Sequence, residues 1–367
     1  MEKEDVIKFF LKHGYQLSNS ALPFVMSSPE KVVKGLNGFE PRPFIVTEHH
    51  VKKFLGETPR QAIDLKLLKE FKPCLSKFTV DDVVTHFLST FDKTKKIILE
   101  HMPAEELISI NKITPKTKSF SIIAIIKEIF EDQIVVEDST GEVSLIFDKE
   151  IKQKLNCIEI DDIIGIFCKK NENKIYIKDI IYPDLPITGD VNKTSEEAVV
   201  VFLFNPKEDV INQKLFEIIS PEKTFFVFIF QDKNITKDFP KNVTLTFIPK
   251  NSTPKLFQLD KIKILTITDS WFEKKDEKNV DPILHSLKRR NITPILNCIK
   301  NDNFVVDQAP DVVLSSSGKN GYKNYKGTTI ISNSDSQKVY LINLKTRDVV
   351  YVSVKMPGAE VFSADGT

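Results

Sequence analysis

Over the first hundred residues apolar positions recur at helical spacing, and from about residue 117 the spacing shortens to that of strands. Val6, Phe9, Phe10 and His13 share one helical face, which Gly14 is placed to end. Ser28 followed by Pro29 pairs an N-cap with a first-turn proline and opens a helix through Val32, Val33 and Leu36. Residues 43–46 read as a short strand, after which Thr47 caps a helix through Val51 and Leu55. A longer helix starts at Thr79-Val80-Asp81-Asp82, passes Phe87, Phe91 and Ile97, and ends near His101.

Beyond the change of period, residues 119–130, 133–138 and 142–147 are rich in Ile, Val and Phe, and Asp138-Ser139-Thr140-Gly141 separates two of them as a hairpin turn would. Residues 149–155 suit a short helix, and residues 162–168 and 174–181 are two further strands joined by a Lys- and Asn-rich loop. Five strands with a helix after the third make the pattern of an OB-fold barrel. From residue 198 the runs 198–204, 224–230, 243–248 and 262–268 are almost unbroken in apolar residues, as strands buried on both faces are. Residues 209–219 and 282–290 between them read as helices, and 328–332, 339–344 and 348–354 alternate as antiparallel strands do. The expected fold is therefore multidomain α+β: a helical region over 1–110, an OB-fold over 111–187, a layered α/β domain over 188–355 and a loose tail over 356–367.

Composition adds few constraints. Lys and Arg number 52 against 51 Asp and Glu, and a net charge of +1 does not point to nonspecific grip on DNA phosphates. The four cysteines, Cys74, Cys157, Cys168 and Cys298, form no CxxC pair, which removes zinc-ribbon spacing and suits buried thiols in a reducing compartment. The charged start Met1-Glu2-Lys3-Glu4-Asp5 lacks the apolar core of a secretory signal, and no apolar run is long enough to span a bilayer. A cytoplasmic protein without a membrane partner is expected.

Several motifs, in order, resemble the B-subunit family of DNA polymerases, and in particular its branch of archaeal D-family small subunits. Val135-Val136-Glu137-Asp138-Ser139-Thr140-Gly141 is similar to that family's barrel hairpin, and Ile180-Ile181-Tyr182-Pro183-Asp184-Leu185-Pro186 to its exit from the OB-fold. Leu287-Lys288-Arg289-Arg290-Asn291-Ile292-Thr293-Pro294, the stretch Asp307 to Asp311, Gly321-Tyr322 to Tyr325-Lys326-Gly327, and Ile331-Ser332-Asn333-Ser334 resemble its closing motifs. The resemblance implies a calcineurin-like phosphoesterase domain after the OB-fold. Active members carry a 3′–5′ exonuclease there, with two metals about 3.5–4 Å apart held by Asp, Asn and several His at strand ends.

Position by position, those ligands are missing. After the first strand, where the family has Asp-x-His, this chain has Asn205-Pro206-Lys207-Glu208-Asp209. After the second, Asp232 stands without its glycine; after the third, Asn251 is followed by Ser252-Thr253 where the family has His-Asp; and the last Gly-His-x-His becomes Ser316-Ser317-Gly318-Lys319. Only one of the six histidines, His285, follows residue 190. The vestigial positions are Asn205, Asp232, Asn251, Ser252, Thr253, Ser317 and Lys319, with no catalytic residue, metal or other cofactor expected. Among lysines and small polar residues that stand in for ligands (Lys207, Lys250, Lys319), an ion pair to Asp232 is expected in place of metal.

The resemblance then implies a non-catalytic accessory subunit, a heterodimer partner of a polymerase's large catalytic subunit that meets DNA through the complex. The competing readings are an exonuclease with relocated ligands (Asp209, Asp232, Asn251, Asp269, Asp307) and a stand-alone single-strand binder using the OB-fold. Lys288, Arg289 and Arg290 could touch DNA phosphate or an acidic partner, or form a solvated helix face; Lys169 and Lys170 carry the same alternatives. The pair His49-His50 has no neighbouring Cys and reads as non-metal.

Overall fold

The computed structural model describes residues 3–26, 28–36, 42–47, 50–51, 63–72, 79–103, 106–155, 158–187, 191–207, 211, 215–220, 223–232, 239–271, 281–292, 304–353 and 361–363. The chain divides into two compact units, Met1–Asp64 and Leu65–Thr367. In the first, α1 (Lys3–Lys12) buries Val6 and Phe10. After β1 (Gln16–Leu17) and the one-turn α2 (Leu22–Val25), α3 (Pro29–Leu36) buries Val32, Val33 and Leu36. A parallel pairing of β1 with β2 (Ile45–Val46) fixes the strand expected at 43–46. Of the helix expected after Thr47 only His50 and Val51 are described; Leu55, like His49, lies outside the described residues.

The second unit opens with a strand that the helical reading of 1–110 did not include. β3 (Leu65–Glu70) has the composition Leu-Lys-Leu-Leu-Lys-Glu, good helix formers all, yet it pairs antiparallel with a later strand from Leu65↔Leu259 to Lys255↔Glu70. Pairing at the edge of an existing sheet has overridden local propensity here. α4 (Val80–Leu99) is the long helix expected, and its start is a capping box: the Thr79 hydroxyl accepts the Asp82 N–H while the Asp82 carboxylate accepts the Thr79 N–H at 2.8 Å.

α4 lies on a closed barrel of five strands: β4 (Ser119–Ile129), β5 (Gln133–Asp138), β6 (Gly141–Ile146), β7 (Ile163–Asn171) and β8 (Lys174–Ile181), in the order β4-β5-β6-β8-β7. The short α5 (Lys149–Leu155) sits between β6 and β7 and sends Ile151 into the barrel core. Alternation along β4 explains both faces: Phe120, Ile122, Ala124 and Ile126 fill the barrel, while Ile123 and Ile125 join Phe91, Ile98 and Met102 of the α4 side. Asp138 holds the hairpin by accepting the N–H groups of Thr140 (2.7 Å), Gly141 (3.1 Å) and Ile110 (2.9 Å). Burial alone would raise its carboxyl, but the Thr140 hydroxyl, donating at 2.6 Å, and these N–H groups outweigh burial and hold its pKa below the ordinary value.

Two six-stranded sheets follow. One has the order β11-β10-β9-β17-β18-β19, where β9 (Ala198–Phe204), β10 (Thr224–Phe230) and β11 (Val243–Ile248) are mutually parallel and β17 (Lys338–Asn343), β18 (Val349–Ser353) and β19 (Val361–Ser363) antiparallel. The other has the order β15-β16-β14-β13-β12-β3, built from β12 (Lys255–Leu259), β13 (Ile262–Ile267), β14 (Val312–Ser315), β15 (Gly321–Tyr325), β16 (Thr328–Ser332) and β3. Phe228 of β10 meets Phe257 of β12 edge-on, ring centroids 5.6 Å apart, where the sheets face each other. The opposite face of β10, Phe225, Val227 and Ile229, packs with Ile211 and Leu215, and that of β13, Leu265 and Ile267, packs with Ile283 and Leu287 of a helix spanning Pro282–Arg289. Strands buried on both faces are what the unbroken apolar runs predict, and β9 and β10 fulfil it; β11, at an edge, is only partly covered. Of the tail expected to be loose, Val361–Ser363 instead pairs with β18, because Val and Phe are strand formers offered to an open sheet edge; the rest of 356–367 lies outside the described residues.

Gly165 of β7 sets how closely α4 approaches the barrel. A Cβ added there would stand 2.9 Å from Met102 Sδ and 3.0 Å from Ile98 Cγ2. Gly165→Val is expected to destabilise the chain by about 1–3 kcal/mol through overpacking, with Met102→Ala recovering part of the loss. Urea unfolding of the single and double variants checks this; equal stability of Gly165→Val and the parent chain would show that α4 does not rest on β7.

Candidate functional site

The carboxyl ends of β9, β10, β11, β13 and β14 gather the positions where the sequence places a degenerate metal site. Asn205 leaves β9 in a left-handed conformation, φ 40°, and its N–H donates to Phe230 O at 2.8 Å at the end of β10. Asp232, just beyond, accepts the Lys250 main-chain N–H at 2.9 Å. The Ser270 hydroxyl donates to Lys250 O at 2.7 Å and that of Thr268 to Ser252 O at 3.0 Å, which fastens the β13 loop to the β11 loop. Asp269 N–H donates to Ser316 Oγ at 2.9 Å, which joins the β14 loop, and Thr253 Oγ1 donates to Glu70 Oε1 at 3.0 Å. Asp232, Asn251, Ser252, Thr253, Asp269 and Ser316 thus lie along one line of hydrogen-bonded loops. Ser317 is held locally, its N–H on Ser315 Oγ, and Lys319 is exposed.

Among the described residues these loops are joined by hydroxyls and amides, a donor set that does not fit a dinuclear metal centre. Asp232 and Asp269 are the strand-end carboxylates, each engaged by an N–H or O–H, and among the described residues no three of His, Cys, Asp and Glu gather as metal ligands. His285 sits on the Pro282–Arg289 helix. Asp209 lies outside the described residues, and Asp307 is elsewhere, paired with Lys69 at 3.6 Å. The ion pair expected between Asp232 and a lysine does not form among the described residues; the carboxylate accepts the Lys250 main-chain N–H instead. Sequence reasoning did not foresee the hydroxyl stitching. Its signal is the polar string Thr266, Thr268, Asp269 and Ser270 at the end of an apolar strand, matched by Ser315-Ser316-Ser317 on its neighbour.

A second cluster lies where the barrel's exit meets the sandwich. The helix Pro282–Arg289, α7 (the one-turn α6 being Phe216–Ile218), begins at Asp281, whose carboxylate accepts Ile283 and Leu284 N–H, and ends at Arg290 in a left-handed C-cap, φ 51°. That turn throws the Arg290 guanidinium inward, where only 3% of the residue remains exposed. It donates to Val306 O at 2.6 Å, Asp307 O at 2.8 Å and Asp184 O at 3.3 Å. Asp184 in turn donates its N–H to Lys288 O and accepts Tyr325 OH at 2.7 Å and Lys326 Nζ at 2.8 Å. Burial, and then this carboxylate, push the Tyr325 phenol well up. The exit, the Lys-Arg-Arg run, Asp307 and the Gly-Tyr…Tyr-Lys-Gly segment, separate in sequence, meet here.

The basic run is therefore not the surface the sequence reading allowed for. Arg290 is buried on carbonyls, and Arg289 reaches back to the barrel, with Nη1 2.8 Å from Glu159 Oε2 and Nε paired with Asp162. A guanidinium next to an αL cap points into the protein, whereas a helix projection of Leu287–Pro294 would have left it in solvent. Lys288 is partly covered, Lys169 is exposed, and Lys170 donates to Thr114 O at 3.1 Å. Asp162 has its own signature in the sequence, an acid set between apolar runs: it is almost fully buried at the start of β7, and burial pushes its pKa up to about 6 against the opposing pull of Arg289. Cys168 is a buried thiol, pushed up by burial; Cys74, Cys157 and Cys298 lie outside the described residues. Among the described residues no helix is long and apolar enough to cross a membrane.

No family model matches the chain. It is 24% identical over 230 residues to the DNA polymerase II small subunit of Archaeoglobus fulgidus, across 54% of this chain and 46% of that protein, so it spans about half the length of the curated relative it matches. The relationship is distant. Of solved structures, the Stn1–Ten1 complex of S. pombe is 13% identical and covers 21% of this chain and 75% of that one; the hypothetical protein ygiW of E. coli is 17% identical and covers 21% and 90%. Both have a TM-score of 0.17, too low for either to bear on the fold.

Two outcomes follow from the junction. Arg290→Ala leaves three carbonyls without their donor and is expected to destabilise the second unit by about 3 kcal/mol or more in urea unfolding; a change within experimental error would mean water replaces the guanidinium. Asp162, with a folded pKa of about 6 against about 3.9 unfolded, keeps in the native state a proton that the unfolded state has lost. Its contribution therefore falls as pH rises from about 4 to about 6. Asp162→Asn should flatten that part of the stability–pH curve, and an unaltered slope would place the titration elsewhere.

Proposed function

We propose that this chain is a non-catalytic accessory subunit of a D-family-like replicative DNA polymerase. It binds and stabilises the large catalytic subunit and meets DNA through the complex. The barrel, residues 111–187, is assigned as an OB-fold, and the sandwich that follows as a calcineurin-like phosphoesterase domain without its metals. The distant relationship to an archaeal polymerase small subunit supports the assignment to polymerase chemistry. The closed β4-β5-β6-β8-β7 order, with a helix after the third strand, supports the OB-fold.

One observation carries the reading furthest. The residues on which the resemblance rests, Asp184, Arg290, Asp307, Tyr325 and Lys326, converge on the junction between barrel and sandwich. Among the described residues the strand-end loops, where catalysis would need open ligands, are instead linked by Thr268, Ser270 and Ser316. A chain that keeps the packing of such a domain without the donors suits a part whose work is done by its surface.

Co-expression with a large polymerase subunit from the same genome is expected to yield a stoichiometric complex on gel filtration; recovery of the two chains as separate species at micromolar concentration would overturn the reading. The isolated chain is expected to leave single-stranded DNA intact with manganese. Degradation that Asp232→Ala abolishes would replace the non-catalytic assignment with an exonuclease using relocated oxygen ligands.

A further inference from the structure

One rim of the barrel exposes large apolar side chains within a ring of acids. The β4–β5 turn is closed by Phe130 N–H on Gln133 O at 2.8 Å, and it leaves Ile129 45% and Phe130 47% exposed. The turn before β7 is bound to the same end of β4, with Asp161 N–H on Ile126 O and Ile126 N–H on Asp162 O, each at 2.8 Å, and it leaves Ile160 58% exposed. Single exposed apolar residues need no explanation, whereas several on one rim do. Around them stand the exposed carboxylates Glu128, Glu131, Asp132 and Asp161. Of the nearby cations, Lys127 lies 3.4 Å from Glu137 and 2.5 Å from Glu142 and Arg289 holds Glu159 and Asp162, which leaves the exposed Lys149 and Lys152, the latter donating to Glu131 O at 3.1 Å, against these carboxylates.

We infer that this rim docks a protein segment that combines an apolar anchor with lysine or arginine, supplied by the large subunit of the accessory-subunit reading, on which the inference rests. An apolar centre with a charged border is the anatomy of a protein interface. The border's sign selects a basic partner and steers its approach. The same carboxylates repel phosphates, so this face of the barrel turns away from nucleic acid even where a barrel of this kind could bind it.

The test uses the full chain and the large subunit, with binding measured by calorimetry at two salt concentrations. Phe130→Ala with Ile160→Ala, and separately Glu128→Lys with Glu131→Lys, are each expected to weaken the complex by about tenfold or more. The charge reversal should also reduce its sensitivity to salt, and the exposed sites should leave the unfolding midpoint of the free chain unchanged. Lys169→Ala with Lys170→Ala serves as the surface control and is expected to bind as the parent does. Parent-like binding by both rim variants overturns the docking site while leaving the accessory role in place. A parent chain that does not bind the large subunit overturns both. Binding of single-stranded DNA by the parent that the rim variants lose would assign the rim to nucleic acid and also overturn the inference.

Discussion

The Arg290 guanidinium fixes much of the second unit's geometry. It is buried, which lowers its pKa against the opposing pull of Glu100, Asp307 and Asp184, and its donors are spent on the main-chain carbonyls of Val306, Asp307 and Asp184. A buried cation is costly unless its hydrogen bonds are made, and these carbonyls lie in two places, the exit from the barrel and the segment that leads into β14, while Arg290 itself ends α7. Satisfying one arginine therefore fixes three chain segments together. The left-handed cap that aims it is itself a cost for a non-glycine residue, offset by the hydrogen bonds it permits. Asp184 completes the knot by taking Tyr325 and Lys326 from the far edge strand of the sheet.

The strand ends solve a different problem. Parallel strands such as β9, β10 and β11 deliver their loops to one side, and something must hold those loops in register. In a metal-dependent enzyme the ions can do so, at the requirement that several ligands stay deprotonated and open. Here Thr268, Ser270 and Ser316 hold the loops with neutral hydrogen bonds, each worth about 1 kcal/mol net, and Asp232 is satisfied by one main-chain amide. Neutral crosslinks need no cation and respond little to pH. They also consume the donors and acceptors that a substrate or an ion would have to displace.

Much of this architecture is legible from spacing. The barrel's five strands and inserted helix follow from runs of Ile and Val broken by Asp138-Ser139-Thr140-Gly141, and the capping box of α4 from Thr79 and Asp82. What was not legible depends on partners distant in sequence. β3 reads as a helix until β12 supplies its ladder. The site divides in the same way. The strand-end positions Asn205, Asp232, Asn251 and Ser252 can be placed from the ends of apolar runs. The roles of Arg289 and Arg290 cannot, because a helix projection treats both as outer residues, and only the αL turn after Leu287–Arg289 sends one to carbonyls and the other to carboxylates.

That pair of adjacent arginines also limits where nucleic acid can enter the picture. The chain's net charge is +1, so any grip on phosphate needs a local surplus of cations. The densest basic run in the second half of the sandwich is consumed internally, Arg289 by Glu159 and Asp162, Arg290 by the junction. The barrel rim beside that contact is acidic, with Lys127 held between two glutamates. A track of free cations running from barrel to sandwich is thus interrupted where the barrel's exit meets the sandwich. Under the accessory reading, DNA is met by the complex as a whole, and the electrostatic work of holding it falls to the partner, while this chain contributes a rigid joint and the surfaces on either side of it.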